Sequence, residues 1–536
     1  MERRISCLLL LLLTAACVKP EPEEVAMLRS VLPETYSVTL EKGGEADIPF
    51  RVEDPDFDFI YSVGSPDCQV RLMLPGGKAP EEFRLKAVRA AETKGAYVAV
   101  VEDLNGDKSY EITASLALMP QAGSDAFVRS PGILFRKEVQ EEEKPQETIS
   151  TGLPLVYVDT DEGQKIRDKE NWIPATFRIQ GENGIAGLEP VRCGIRGRGN
   201  TTWTWPKKPY AIKMEEKQSL FGLPAHKRWV LLANFLDRTL MRNLVSMYVA
   251  SQMDFLSWTP RCQSVELVLN GVHLGNYLLI EQVRVDKNRV NIKEMKKTDI
   301  SGEALTGGYL LELDFHYDNE FQWKDHNIPF AVKSPDPEDL TPEQKDYIKA
   351  YIAEVSAAVY GTAFQDPEKG YAKYLDVDSF IDYWLVYEVM CNHELGNPGS
   401  VYLHKDRGGK LFAGPCWDFD WGVLSFWTSN GGHDLVNRHA IWYDRLFQDP
   451  AFHERVKARF QELLPKLSTV PVYMEECRKM LTKSAFLNFR MWNPADDASQ
   501  NGGSIINGDE NLSFDKAVDR LIDNYNTHLK IIQEKL

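Results

Sequence analysis

Cysteine is scarce and scattered: there are 8 in 536 residues, and no two have CxxC spacing. A zinc site or a thioredoxin-like dithiol is therefore unsupported, and most of the cysteines are expected to be core packing. Basic charge is also short, with 62 Lys and Arg against 79 Asp and Glu and a formal net charge of -17. General affinity for nucleic acid needs a cationic surplus on some face, which argues against nucleic acid as a partner. An anion held in a local basic pocket remains compatible. Beyond the first residues no apolar run is long enough to span a bilayer. Internal repeats are absent. What is present is ordinary core material, 43% apolar and 11% aromatic, with 26% charged residues. That composition suits a folded, water-exposed chain whose length calls for two or three domains.

The start of the chain, "MERRISCLLLLLLTAAC", has a basic beginning (Arg3, Arg4), a short apolar run and small residues before Cys17. This is the pattern of an export signal, residues 1–17. The ending Ala15-Ala16-Cys17 resembles the lipobox of bacterial lipoproteins. The resemblance implies lipidation of Cys17, which becomes the new N-terminus, with residues 18–33 as a polar tether. The plainer alternative is an ordinary cleaved signal. On the lipoprotein reading the protein is exported and anchored to a bacterial membrane through its lipid alone, in the periplasm or at the cell surface.

Residues 34–136 hold short β-branched or alternating runs between Gly, Pro and Asp turns. They predict a small all-β sandwich of immunoglobulin-like type. Residues 137–152, with acids, Lys and Pro and no apolar period, read as a linker. From 153 to 536 strands and helices mix, which predicts an α+β domain. "RTLMRNLVSMYVASQM" has helical apolar spacing. "SVELVLNGVHLGNYLLIEQV" reads as two strands around Asn270-Gly271. "DSFIDYWLVYEVM" is apolar nearly all round and predicts a buried helix.

Four constellations could carry chemistry. "RGRGNTTWTWPKKPYAIKM" holds a glycine turn and then a strand. Glycines let backbone N–H groups approach an anion, and period-two alternation sets Lys213 opposite Ile212 and Met214. The alternative is a solvated basic hairpin. Glu281, or another acid, could pair with a strand lysine or with the arginine of "LMRN"; a purely structural salt bridge is the alternative. "CNHELGNPGSVYLHKD" packs Asn392, His393, Glu394, Asn397 and Ser400 into a loop after the buried helix. "GPCWDFDWG" sets Asp418 and Asp420 one residue apart among tryptophans. On an extended segment they would share a side, repel each other and welcome a cation, and Mg²⁺ favours one or two carboxylates plus phosphate oxygens. The alternative is a pair of turn aspartates.

The order of these pieces is that of an atypical protein-kinase-like domain. Residues 153–536 resemble the spore coat protein H (CotH) kinase-like family through "GIRGRGNTTW" followed by "KKPYAIKM", then "LMRN", "GVHLGNYLLIEQV" and "WDFDWG". The resemblance implies ATP bound with Mg²⁺, or Mn²⁺ in its place. Arg198, Gly199, Asn200 and Thr201 then form the phosphate-side turn, Lys213 is the strand lysine, and Glu281 and Gln282 lie at a nucleotide-binding hinge. Asp418 becomes the metal-binding acid and Asp420 a second ligand or its support. The loop departs from the family pattern. Many members carry an aspartate there and an asparagine before the next strand, whereas this chain offers Asn392 and Glu394, with Ser400 in the asparagine's place. Glu394 is then the candidate base, and Asn392 or Asn397 a helper of the metal.

The expected function is transfer of the γ-phosphoryl group of ATP to a Ser/Thr-type hydroxyl of a protein or cell-surface acceptor. One alternative is an adhesion or glycan-binding lipoprotein on a catalytically weak kinase-like scaffold. Another is a metal-dependent glycosyltransferase built on the acid-x-acid motif.

Overall fold

The computed structural model describes residues 151–316, 320–425, 434–492, 507–509 and 511–536, together with the backbone of six strands between Val38 and Pro120. The chain divides into two units, Met1–Thr148 and Ile149–Leu536. In the first, β1 (Val38–Thr39), β2 (Glu45–Ile48), β3 (Cys68–Met73), β4 (Glu82–Ala90), β5 (Tyr97–Asp103) and β6 (Ser109–Pro120) pair in the order β1-β4-β5-β6-β3-β2, antiparallel throughout. Whether they pack as a sandwich depends on side chains outside the described residues. The signal, the tether with Cys17 and most of the linker lie outside them too.

The second unit is α+β. Its first seven strands are β7 (Leu155–Thr160), β8 (Ile173–Gln180), β9 (Leu188–Gly197), β10 (Tyr210–Gln218), β11 (His226–Leu232), β12 (Cys262–Leu269) and β13 (Val272–Glu281). They close into a barrel in the order β10-β11-β13-β12-β7-β8-β9. Only β7 and β12 run parallel. Alternation fills the interior with Val156, Val158, Phe177, Ile195, Ile212 and Trp229. The Asn270-Gly271 hairpin stands where the sequence put it. Both residues have positive φ, the geometry such a two-residue turn demands.

A five-stranded antiparallel sheet follows. It consists of β14 (Tyr309–Leu313), β15 (Gln322–Asp325), β16 (Ile328–Ser334), β17 (Val401–Lys405) and β18 (Leu411–Ala413), in the order β15-β16-β14-β17-β18. The long helices are α1 (Arg242–Ala250), α2 (Pro342–Tyr360), α3 (Val377–Val389), α4 (Pro450–Leu467), α5 (Val470–Met491) and α6 (Phe514–Lys535). In α3 every residue except Asp378 is buried, so it serves as the central post of this half. Helix α2 starts at a reciprocal cap between Thr341 and Gln344 with Pro342 behind it. Helix α1 begins later than the apolar spacing predicts. The Asp237 carboxylate takes the N–H groups of Thr239 and Arg242 and holds the preceding residues in a turn.

Candidate active site

A cavity of about 610 Å³ opens inside the second unit. Its walls come from the turn after β9, the ends of β11 and β13, the sheet strands β14, β16 and β17, and the loops after α3 and β18. Each contribution has a local cause. Gly199, at φ +83°, lets the chain turn back after β9; a Cβ there would meet Thr202 Oγ1 at 2.0 Å. Arg198, Gly199, Asn200 and Thr201 thereby line the cavity together. The Arg198 guanidinium lies 5.5 Å from the Trp417 ring and eases the charge of Asp420. Gln282 lines the cavity next to Val283, and Trp205 stacks on Phe235 with ring centroids 5.8 Å apart. These give the cavity an apolar side.

Opposite lie the acids Asp314, Glu394, Asp418 and Asp420. The two aspartates do meet, but not through strand alternation. Strand β18 ends at Ala413, and Asp418 takes φ +65°, so the predicted extended segment is a loop instead. Burial, then the charge of Asp418, then that of Asp237, hold the Asp420 carboxyl well above the usual range, and Asp420 and Asp418 share a hydrogen bond. Burial also pushes Glu394 well up, with Asp418, Asp420 and Asp314 adding to it. Glu394 Oε2 is buried and accepts no hydrogen bond among the described residues.

The acid loop is fixed from behind. Asn243 Oδ1 accepts from Phe419 N at 2.8 Å, and Arg242 Nε donates to Val423 O at 2.8 Å. Asn507 Oδ1 accepts from Gly422 N and its Nδ2 donates to Asp420 O. Arg242 itself is buried between Asp237 and Asp509. The arginine and asparagine of "LMRN" are therefore a clamp on the acid motif, and Arg242 pairs with Asp237 and Asp509 and not with Glu281.

Three expected residues stand elsewhere. Lys213 is exposed on the outer face of β10, 6.0 Å from the Trp172 ring, and does not line the cavity. Alternation sets it opposite Ile212 and Met214, on the face that the barrel turns to solvent. Glu281 is buried and gripped by Arg261 through Nε at 2.8 Å and Nη2 at 2.9 Å, the structural salt bridge held open as its alternative. Asn392 is buried behind the loop, where its Oδ1 accepts from Glu394 N at 2.9 Å. It orients the acid and is not itself in the lining. Sequence reasoning missed Glu312, Asp314, Tyr402 and Lys333, all in the lining. Glu312, Lys333 and Tyr402 sit on strands whose apolar neighbours read as core and Asp314 just after one, and only their polarity inside "YLLELDF", "PFAVKS" and "SVYLHKD" could have flagged them.

Among the described residues no three His, Cys, Asp or Glu side chains form a ready metal cage. The donor set nevertheless suits Mg²⁺ or Mn²⁺, which takes one or two carboxylates and completes its shell with water and phosphate. Asp418 and Asp420, both partly buried and sharing a hydrogen bond, beside an unpartnered Glu394 oxygen suit a positive charge of that kind.

A family model described as CotH kinase protein matches residues 195–531, from β9 to α6. No curated protein matches the chain.

Proposed function

Because the chain belongs to the CotH kinase protein family, we propose that its second unit binds ATP with a divalent cation in this cavity. We propose further that it transfers the γ-phosphoryl group to a hydroxyl of a protein or surface acceptor. The apolar side formed by Trp205, Phe235 and Val283 suits the base, with Gln282 at the hinge. Arg198 and the turn through Thr201 face the phosphates with a guanidinium and with backbone N–H groups. Asp418 and Asp420 would hold Mg²⁺ or Mn²⁺, which when bound neutralises phosphate charge. Glu394 is the base: its Oε2 is unpartnered and positioned by Asn392, and its raised pKa moves it toward the range where a base works best. The two kinase-like halves and the sandwich character of the first unit belong to this proposal, as does tethering through a lipid on Cys17.

The observation that carries the reading is the convergence of the glycine turn and the Asp418–Asp420 pair on one cavity. Titration of the full chain with ATP, with and without Mg²⁺, tests it beside Asp418→Ala. Mg²⁺-dependent binding that the variant loses supports the reading; no binding with Mg²⁺ or Mn²⁺ overturns it. A second reading, a glycan-binding or adhesive protein on a weak scaffold, draws on two exposed aromatics at the cavity mouth, Phe315 and Trp421. It also draws on the placement of Lys213 outside the cavity.

A further inference from the structure

With Lys213 outside the cavity, the lysine that would meet a donor phosphate has to come from another strand. Besides Arg198, three cationic residues line the cavity: Lys207, Arg284 and Lys333. Lys207 is buried and committed. Its Nζ donates to Ala233 O and Asn488 Oδ1, each at 2.8 Å, and to Asn276 O. Arg284 lies 3.7 Å from Asp336, which is 71% exposed, an arrangement that holds neither side chain firmly.

Lys333 differs from both. Its Nζ is 2.8 Å from Glu312 Oε2, and its side chain keeps 36% exposure while that of Glu312 keeps 7%. Strand register explains the pairing. Glu312 on β14 stands opposite Tyr402 on β17 and opposite Ala331 on β16. Lys333 is the extra residue where the register between β14 and β16 shifts, between Val332 opposite Leu311 and Ser334 opposite Leu310, and its Nζ reaches Glu312 from there. Tyr402 hydrogen-bonds Glu312 from the other side. Three neighbouring strands thus meet at one carboxylate, which holds an ammonium group in the lining of the cavity. A buried glutamate that fixes a partly exposed lysine on rigid strands is a device for placing a cation accurately.

We propose that Lys333, positioned by Glu312 and Tyr402, contacts a phosphate oxygen of the nucleotide bound in this cavity. The inference rests on the nucleotide reading above and assigns to β16 the role that the family resemblance implied for β10.

The test compares ATP and adenosine binding to the full chain with those to Lys333→Met, Lys333→Arg and Lys213→Met, with melting temperatures to confirm folding. Lys333→Met is expected to weaken ATP by about tenfold or more, the worth of one hydrogen bond between charged groups. It should leave adenosine, which has no phosphate, unchanged. Lys333→Arg should recover part of the loss, and Lys213→Met should match the parent. A merely structural lysine would weaken both ligands alike, and that result overturns the proposal. So does ATP affinity unchanged in Lys333→Met. If the parent chain binds neither ligand, the nucleotide reading falls and this inference with it, an outcome distinct from failure of Lys333 alone.

Discussion

Glu394 and Asp420 are acids held where their charged forms are disfavoured. Burial is the larger cause for each, and neighbouring carboxylates add to it. Both are raised relative to the unfolded chain. Their neutral forms therefore favour the fold at pH values below the ordinary carboxyl range, and that support is lost as pH climbs through the raised values. Glu394→Gln is neutral at every pH. Its melting temperature should exceed that of the parent at roughly pH 8, with the gap closing toward roughly pH 4. Saturating Mg²⁺ should narrow the gap at high pH by shielding the same charges; a gap independent of both pH and Mg²⁺ would show that the carboxyl ionises freely. Lys207 presents the opposite case. Burial pushes it down to about 7, yet its oxygen acceptors match the three N–H donors of the charged form. Lys207→Met takes the lysine donor from the Ala233 and Asn276 carbonyls, while Asn488 Oδ1 keeps the Asn276 N–H, and should destabilise the fold by about 1–3 kcal/mol per stranded group. Chemical denaturation reads that loss.

At the scale of elements, the decisive one is the loop "WDFDWG". Its backbone is not regular structure, so side chains from α1 and from Asn507 hold it. Asn243→Ala would leave Phe419 N buried without its acceptor, at a cost of about 1–3 kcal/mol. Because the loop carries Asp418 and Asp420, Mg²⁺–ATP affinity should fall in the same variant; affinity equal to the parent's would show that the loop holds its shape unaided. Gly422 matters in the same way. It takes φ +72°, and a Cβ there would come within 2.7 Å of His393 Cε1, so Gly422→Ala should disturb the loop that presents Glu394. The sequence made individual elements legible wherever one period dominated. Helix α3, the Asn270-Gly271 hairpin and the strands of "PYAIKM" and "SVYLHKD" are cases, since burial alone sets their pattern. It did not disclose that Asp418 leaves the extended region, because that φ is imposed by Asn243 and Asn507, distant in sequence. Nor did it disclose Glu312 and Lys333, whose partnership depends on register between strands.

At the scale of the whole molecule, every site residue lies in Ile149–Leu536, which also carries its own apolar core. That unit expressed by itself should fold and bind Mg²⁺–ATP within about twofold of the full chain, as expected of a self-contained domain. A marked loss on removing Met1–Thr148 would assign the first unit a part in binding. The sequence conveyed an α+β domain after an all-β segment, and conveyed which motifs converge. It conveyed neither the closure of seven strands into a barrel nor the confinement of Lys213 to that barrel's outside.

The barrel also constrains how the chain comes to be folded. Its seam between β7 and β12 joins segments far apart in the chain; across it, Thr160 N donates to the Asn270 side chain, 110 residues away. Of the barrel strands, β7 to β11 leave the ribosome first, and until β12 and β13 arrive they can form only a sheet with two raw edges, each a template for pairing with another molecule. Closing that seam is a long-range, entropically slow step. During synthesis the hazard to this protein is therefore concentrated in the interval before Glu281, the end of β13, is available. After that point no edge of the barrel remains to recruit a stranger.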